Sequence, residues 1–226
     1  MFLLINKPKG ITSHDVIYKL RKITGIKKIG HAGTLDPNAT GLLIVGVGRE
    51  STKQLGELTT KTKKTYIADI FLGEERDTDD AEGKTTMIYE VASPPSLETV
   101  NKTLTKFTGQ QSQTPPSYSA IKIKGRKSYD LARKGKSFKL EPRTVMIYKN
   151  KLLSYDYPIL KVEFEVGSGT YIRSLAKDIG SVLGTGGYLK ELQRTKISSY
   201  SVGDAHKLED LTPENWQSFA VNYEYY

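Results

Sequence analysis

The sequence contains no cysteine, which excludes disulfide bonds and thiolate metal sites. Its three histidines stand far apart, at positions 14, 31 and 206, so no zinc site is expected. No apolar run approaches the roughly 20 residues that a membrane helix needs. The apolar N-terminal stretch 2–5 is too short for a signal peptide. These absences predict a reduced, cytoplasmic protein without a metal or a membrane anchor.

Positive charge is concentrated in one part of the chain. The net charge is +9, from 34 basic and 25 acidic residues. Between Gly109 and Arg143 there are nine Lys and Arg residues but only Asp130 and Glu141, so this stretch contributes +7. Such a patch is typical of a polyanion-binding surface, because phosphate contacts give affinity without reading sequence. A solvated basic face is the alternative that charge alone leaves open.

Apolar periodicity predicts strands and helices in an order without βαβ alternation. Strands are predicted at 2–5, 42–47, 64–72, 85–91, 143–153 and 159–167, with 64–72 and 85–91 forming a hairpin. Helices are predicted at 14–24 with Ser13 as cap, from Pro94 to about Phe107, at 128–134, at 170–183, and from Thr212 onwards. The pattern predicts an α+β fold around a largely antiparallel sheet, in one domain spanning 1–226.

Gly30 to Gly41 is predicted to be a loop between two regular elements, and it contains Asp36. Loops held by a rigid scaffold often carry catalytic residues. Pro37 favours an extended conformation for Asp36, which directs its side chain away from a helix. A turn in which Asp36 only caps the chain is the alternative.

Three further segments contain residue types that are found in binding or catalytic sites. Arg173, in the first turn of the helix predicted at 170–183, could hold a carboxylate in its charged form, with Tyr171 beside it. Tyr66 opens a strand and could stack on a flipped base. A surface arginine and packed tyrosines are the alternatives. The acidic segment 77–83 does not fit a calcium loop, because Ala81 occupies a ligand position.

Taken in order, these segments resemble the bacterial tRNA pseudouridine-55 synthase family of the TruB type. The resemblance is carried by Asn6-Lys7-Pro8-Lys9-Gly10-Ile11-Thr12-Ser13, Gly30 to Gly41, Lys64-Thr65-Tyr66, Leu72-Gly73, Asp77 to Gly83, Pro115 to Lys122, Gly125, Tyr129 to Arg133, Gly169 to Arg173, and Tyr188-Leu189 with Leu192 and Arg194. The matches run from about residue 3 to residue 200.

The resemblance implies a pseudouridine-synthase fold, no cofactor and no metal, with Asp36 as the catalytic residue. Tyr66 would face the target base, and Arg173 and Asp80 would form a charged network with Asp36. The remaining implied roles are Tyr171 lining the pocket, Leu192 closing it, His31 stacking where bases leave the T-loop, and Lys122, Lys124, Arg126 and Arg133 gripping the T-loop from the insertion 109–143.

The partner expected from this resemblance is the T-arm of tRNA, with base flipping to reach the uridine. The family's usual further C-terminal domain is not expected here, so the catalytic domain should recognise the T-arm alone, as a monomer without an obligate protein partner. Two alternatives stay open: an RNA chaperone or ribosome-assembly factor without catalysis, and a synthase acting on another RNA, such as ribosomal RNA.

Overall fold

The computed structural model describes residues 1–119, 121–123, 125–133 and 138–221. The chain divides into two compact units, residues 1–67 with 192–226 and residues 68–191. Both boundaries between the units fall within strands, one in Lys64–Leu72 and the other in Gly187–Ile197. Each unit is described by itself below.

The strands and α-helices of the described residues are numbered here in chain order. The strands are β1 (Phe2–Lys7), β2 (Ile29–Ala32), β3 (Thr40–Val47), β4 (Lys64–Leu72), β5 (Glu74–Arg76), β6 (Thr85–Ile88), β7 (Gly109–Gln113), β8 (Lys122–Ile123), β9 (Arg126–Lys127), β10 (Arg143–Asp156), β11 (Ile159–Val166), β12 (Gly187–Ile197), β13 (Tyr200–Ser201) and β14 (Ala220–Val221). The α-helices are α1 (Ser13–Thr24), α2 (Arg49–Thr60), α3 (Leu97–Lys106), α4 (Ser128–Arg133) and α5 (Ile172–Val182). Short 3-10 helices occupy Val202–Asp204, Leu208–Asp210 and Trp216–Phe219.

The first unit is organised around β3. Strands β1 and β2 pair with β3 antiparallel, and β12 pairs with it in parallel through Gln193↔Thr40 and Arg194↔Gly41. Successive side chains of β1 and β3 point to opposite faces, so both faces are apolar. Helix α1 and Trp216 cover one face, and α2 supplies Leu55 and Leu58 to the other. The segment between β2 and β3 therefore lies between two well-packed strands.

The second unit contains antiparallel pairs of β10 with β7 and of β10 with β11, with β4 beside β11. Alternate side chains of β4 and β11 are buried, as expected for a half-covered sheet. Helix α5 buries one apolar stripe, including Leu175, Ala176 and Ile179. Strands β5 and β6 form a separate two-stranded sheet.

The predicted α+β class with a mostly antiparallel sheet is confirmed. Several details of the prediction are wrong. Thr12, not Ser13, caps α1, and the strand at 85–88 pairs with β5 rather than with β4. Residues 30–32 continue a strand instead of forming a loop, and the last predicted helix is the 3-10 turn at Trp216–Phe219. Helix α2 was not predicted.

No helix in the described part of the chain is long and apolar enough to cross a membrane.

Candidate active site

Asp36 lies between β2 and β3 on a segment whose backbone is held on both sides of it. On the preceding side, Ser13 Oγ donates to Leu35 O at 3.0 Å and accepts from Leu35 N at 2.9 Å. On the following side, Gly10 N donates to Pro37 O at 2.9 Å. Ser13 is buried. Because the peptide groups on either side of Asp36 are fixed, its side chain starts from a defined backbone position.

Lys7 is a buried cation beneath the same segment. Its side chain has no exposed surface, and Nζ donates to Pro8 O at 2.9 Å, Ile11 O at 2.8 Å and Pro37 O at 3.2 Å. Burial lowers the pKa of Lys7 to about 8, against the opposing effect of the Asp36 carboxylate. The attraction between these charges is mutual, so the protonated Lys7 favours the charged form of Asp36.

The local sequence at the start of α1 explains how Ser13 reaches the Asp36 segment. Thr12 closes a capping box with Asp15: Thr12 Oγ1 accepts from Asp15 N at 3.0 Å, and Asp15 Oδ2 accepts from Thr12 N at 2.8 Å. Helix α1 therefore begins at Ser13, and the Ser13 hydroxyl contacts the backbone of Leu35.

Strand β12 brings Leu192 to the end of the Asp36 segment and attaches to β4 near Tyr66. Thr40 Oγ1 donates to Leu192 O at 3.4 Å, and Thr195 Oγ1 donates to Thr65 O at 3.3 Å. Tyr66 is 8% exposed. The first unit thus contains Asp36, Tyr66 and Leu192 on elements that β12 connects.

His31 lies in β2, opposite Val45 of β3. Burial, with a smaller effect of nearby Arg194, lowers the pKa of the His31 imidazole below its ordinary value. Its Nδ1 is buried, with no hydrogen-bond partner among the described residues. A neutral ring of this kind is suited to stacking rather than to ion pairing.

Arg173, on the first turn of α5, is 7% exposed and contacts residues of the second unit. Its Nη1 lies 3.5 Å from Asp80 Oδ2 and donates to Thr78 O at 3.3 Å. Its Nη2 donates to Tyr118 O at 3.0 Å. The guanidinium is therefore fixed both to the acidic turn and to the start of the basic insertion.

The acidic turn is itself ordered around Asp80. Asp80 Oδ1 accepts from Thr78 Oγ1 at 2.6 Å and from Glu82 N at 3.0 Å. The neighbouring Asp79 lies in the left-handed region, at φ 59°, and its Oδ1 is 3.0 Å from Lys177 Nζ. Burial raises the pKa of Asp79 despite this lysine. Asp80 thus has a fixed orientation towards Arg173.

Tyr171 occupies the N-cap position of α5, and its peptide group is bound by Gln113. Tyr171 N donates to Gln113 Oε1 at 2.8 Å, and Gln113 Nε2 donates to Tyr171 O at 3.1 Å. Ser174 Oγ donates to Thr114 O at 2.8 Å. Gln113 is 2% exposed, and the sequence analysis did not identify this role.

The four residues predicted to bind the T-loop belong to the basic insertion 109–143. Lys122 and Arg126 lie on the paired strands β8 and β9, and Arg133 ends α4. Lys124 and the side chains of the other three residues lie outside the described residues. At the base of the hairpin, Ser128 Oγ donates to Ser119 O at 2.7 Å.

The structure brings the predicted residues together as two groups. Arg173, Asp80 and Tyr171 are in the second unit, and the Arg173–Asp80 contact of the expected network is present. Asp36, Tyr66, His31 and Leu192 are in the first unit. No group of three or more His, Asp or Glu side chains that could hold a metal ion occurs among the described residues.

Two family models match consecutive parts of the chain. The N-terminal domain of the TruB family pseudouridylate synthases matches residues 21–172. The tRNA pseudouridylate synthase B C-terminal domain matches residues 173–222, which begin within α5.

Similar curated proteins are named tRNA pseudouridine synthase B. The protein from Aquifex aeolicus is 44% identical, over 97% of this chain and 76% of its own length. The protein from Mycobacterium tuberculosis strain H37Rv is 43% identical, over 92% of this chain and 70% of its own length. The protein from Endomicrobium trichonymphae is 42% identical, over 92% of this chain and 89% of its own length.

Two solved structures share the fold. A chain of a Cbf5-Nop10-Gar1 complex superposes with a TM-score of 0.72 at 26% identity, covering 98% of this chain and 56% of that one. A chain of the archaeal box H/ACA sRNP Nop10-Cbf5 complex gives 0.70 at 25% identity, covering 96% and 54%. The present chain spans about half the length of these two proteins.

Proposed function

We propose that Asp36 is the catalytic residue of this chain, which belongs to the TruB family of pseudouridylate synthases and isomerises the T-loop uridine of tRNA (position 55) to pseudouridine. The observation that carries the proposal is the anchoring of the Asp36 segment. Hydrogen bonds hold the peptide groups of Leu35 and Pro37, and the buried Lys7 ammonium interacts with the Asp36 charge. Fixed geometry of a reacting group is a main source of enzymatic rate.

The reaction breaks the C1′–N1 bond, turns the base and forms a C1′–C5 bond. A proton leaves C5 and a proton is gained at N1, so the product has the composition of the substrate and no cofactor is required. The Asp36 carboxylate either adds to the base or traps the ribose carbon C1′, and both routes require its ionised form. Lys7 supports this form, and Arg173, oriented by Asp80, completes the proposed charged network.

The pocket residues follow from the same assignment. Tyr66 faces the target base, and removal of the C5 proton falls to Asp36 or to a water held beside Tyr66. Tyr171 lines the pocket, and Leu192 closes it. His31, whose neutral ring is suited to stacking, takes the place that the flipped bases leave.

Substrate recognition is proposed to depend on the T-arm. Flipping the uridine costs a few kcal/mol, which contacts elsewhere on the RNA must offset. The insertion 109–143, with its charge of +7, is the proposed source of these contacts, through Lys122, Lys124, Arg126 and Arg133. We further propose that the chain is one catalytic domain that acts as a monomer in the cytoplasm.

If the T-arm alone is recognised, a minimal T-arm hairpin should be a substrate. Modification of whole tRNA but not of the hairpin would contradict recognition through the T-arm alone.

The decisive experiment maps pseudouridine by position in an unmodified tRNA transcript after incubation with wild type or Asp36→Asn. We expect product at the T-loop uridine with wild type only. Both proteins should bind the transcript with similar affinity, because the substitution removes a reacting group and little RNA-contacting surface.

Three other outcomes would count against the proposal. Tight binding without product from wild type would indicate a non-catalytic RNA-binding protein. Product at another RNA position, or undiminished product from Asp36→Asn, would reject the assigned target or the assigned catalytic residue, respectively.

A further inference from the structure

We infer that Arg194 is a positioning residue for catalysis, which holds both ends of the segment carrying Asp36. This inference rests on the proposed catalytic role of Asp36. Arg194 is 1% exposed, although arginine is almost never fully buried unless its charge and donors are satisfied. Its surroundings show what the buried guanidinium is used for.

The side chain of Arg194 connects the two ends of the Asp36 segment. Its Nη2 donates to Gly33 O at 2.9 Å, at the start of the segment. Its Nε donates to Leu42 O at 2.8 Å, two residues into β3 after the segment ends. The backbone of Arg194 also pairs with Gly41 in the parallel β12–β3 ladder. One residue thus spans the loop that presents Asp36.

Glycines at both ends fit the close approach of Arg194. Gly33 has a φ of +75°, and a Cβ there would lie 3.2 Å from Arg194 Nη1. Gly41 has a φ of +101°, and a Cβ there would collide with the backbone carbonyl of Arg194. Both positions therefore require the left-handed conformation that glycine adopts without strain, and leave space for the arginine.

Arg194 also belongs to the cationic environment of the segment. Burial is the main cause of the lowered pKa of Lys7, Lys64 and His31, and the charge of Arg194 lowers each pKa further, so Arg194 lies within electrostatic range of all three. Lys7 in turn interacts with the Asp36 carboxylate. Arg194 is thus coupled to Asp36 through the backbone that it holds and through Lys7.

Lysine cannot reproduce this arrangement. The planar guanidinium donates to Gly33 O and Leu42 O from different nitrogens of one rigid group, whereas an ammonium is a single point of charge on a flexible stem. Arg194→Lys should therefore keep the buried charge but loosen one end of the segment, and Arg194→Met should lose both contacts.

The test compares Arg194→Lys and Arg194→Met with Lys196→Met, which removes an exposed cation two residues further along β12. We expect kcat on tRNA transcript to fall about 10-fold for the lysine variant and about 100-fold for the methionine variant, as displacement of a reacting group by about 1 Å does. KM should stay within about threefold, and the control should match wild type. A kcat unchanged in Arg194→Lys would overturn the inference, as would a loss confined to KM.

Hydrogen exchange provides a readout that does not depend on catalysis. Amides in the segment 33–39 should exchange at least about 10-fold faster in Arg194→Lys than in wild type, while those of β1 should not change. Equal exchange in the segment would overturn the inference even if the Met variant fails to fold. If wild type itself makes no pseudouridine, the proposed function fails, and exchange still decides whether Arg194 holds the segment.

Discussion

At the residue scale, the contact between Arg173 and Asp80 predicts how the substitution Asp80→Asn affects kcat. Asp80→Asn removes the charge at 3.5 Å from Arg173 Nη1, whereas the amide oxygen can still accept from Thr78 Oγ1 and Glu82 N. The turn should therefore keep its fold while Arg173 loses its orientation. We expect kcat to fall at least about 10-fold, with a melting temperature within a few degrees of wild type.

Asp77→Asn is the matched control for this substitution. Asp77 lies in the same turn and is exposed, and its Oδ1 accepts from Lys84 N at 2.8 Å, which an amide oxygen also does. Equal kcat values for the two variants would show that Asp80 does not act through Arg173. A parallel loss of kcat and of melting temperature in Asp80→Asn would indicate a purely structural role.

The residues that the sequence predicted differ in kind from those that it missed. Asp36, Arg173 and Asp80 were found through motifs. The structure contains the Arg173–Asp80 contact, whereas the catalytic roles of all three residues stay predictions. Lys7 and Arg194 were included in motifs without a function of their own. Long cationic side chains are usually exposed, so no pattern in the linear sequence indicated that these two are fully buried beneath the segment.

At the scale of elements, apolar periodicity explains which helices could be predicted. Helix α5 has a wide apolar stripe, and its bounds agree with the prediction within two residues. Helix α2 contains few apolar residues among serine, threonine and charged side chains, and Leu55 and Leu58 hold it against the sheet. Its stability comes from tertiary packing rather than from local helix propensity, and the apolar pattern of the sequence does not predict that packing.

The predicted partner of β6 was wrong for a different reason. The sequence predicted a strand at 85–91 after the acidic turn and paired it with the strand at 64–72. The chain forms the short strand β5 immediately after β4, and the turn at 77–83 returns it to β5. Register and partner depend on turn geometry, which the sequence specifies less strongly than the alternation within a strand.

The start of α1 carries a prediction that separates stability from catalysis. Thr12 caps the helix, whereas the adjacent Ser13 uses its hydroxyl on Leu35 O and Leu35 N beside Asp36. Thr12→Ala should lower the free energy of unfolding by about 1 kcal/mol, the usual value of an N-cap, and leave kcat unchanged. Ser13→Ala should lower kcat at least about 10-fold, because both polar groups of Leu35 lose their partner.

Chemical denaturation and single-turnover kinetics of both variants test this contrast. The two substitutions are one residue apart and each deletes one hydroxyl group, so each serves as the control for the other. Equal kcat values for Thr12→Ala and Ser13→Ala would contradict the assigned role of Ser13 in holding the Asp36 segment.

At the scale of the whole molecule, the uneven charge predicts how tRNA binding responds to salt. Each phosphate contact adds about 0.7 to 0.9 to the slope of log K against log salt concentration. Replacing Lys122, Lys124 and Arg126 with glutamine should therefore reduce that slope by roughly 2 if all three residues contact phosphates.

The control replaces Lys19, Lys22 and Lys53 with glutamine, and all three are exposed on helices of the first unit. Because each variant loses three cations, both have a net charge three units lower than the wild-type +9. If binding depended on net charge alone, the two variants would lose the same slope, whereas a loss confined to the first variant places the phosphate contacts on the insertion.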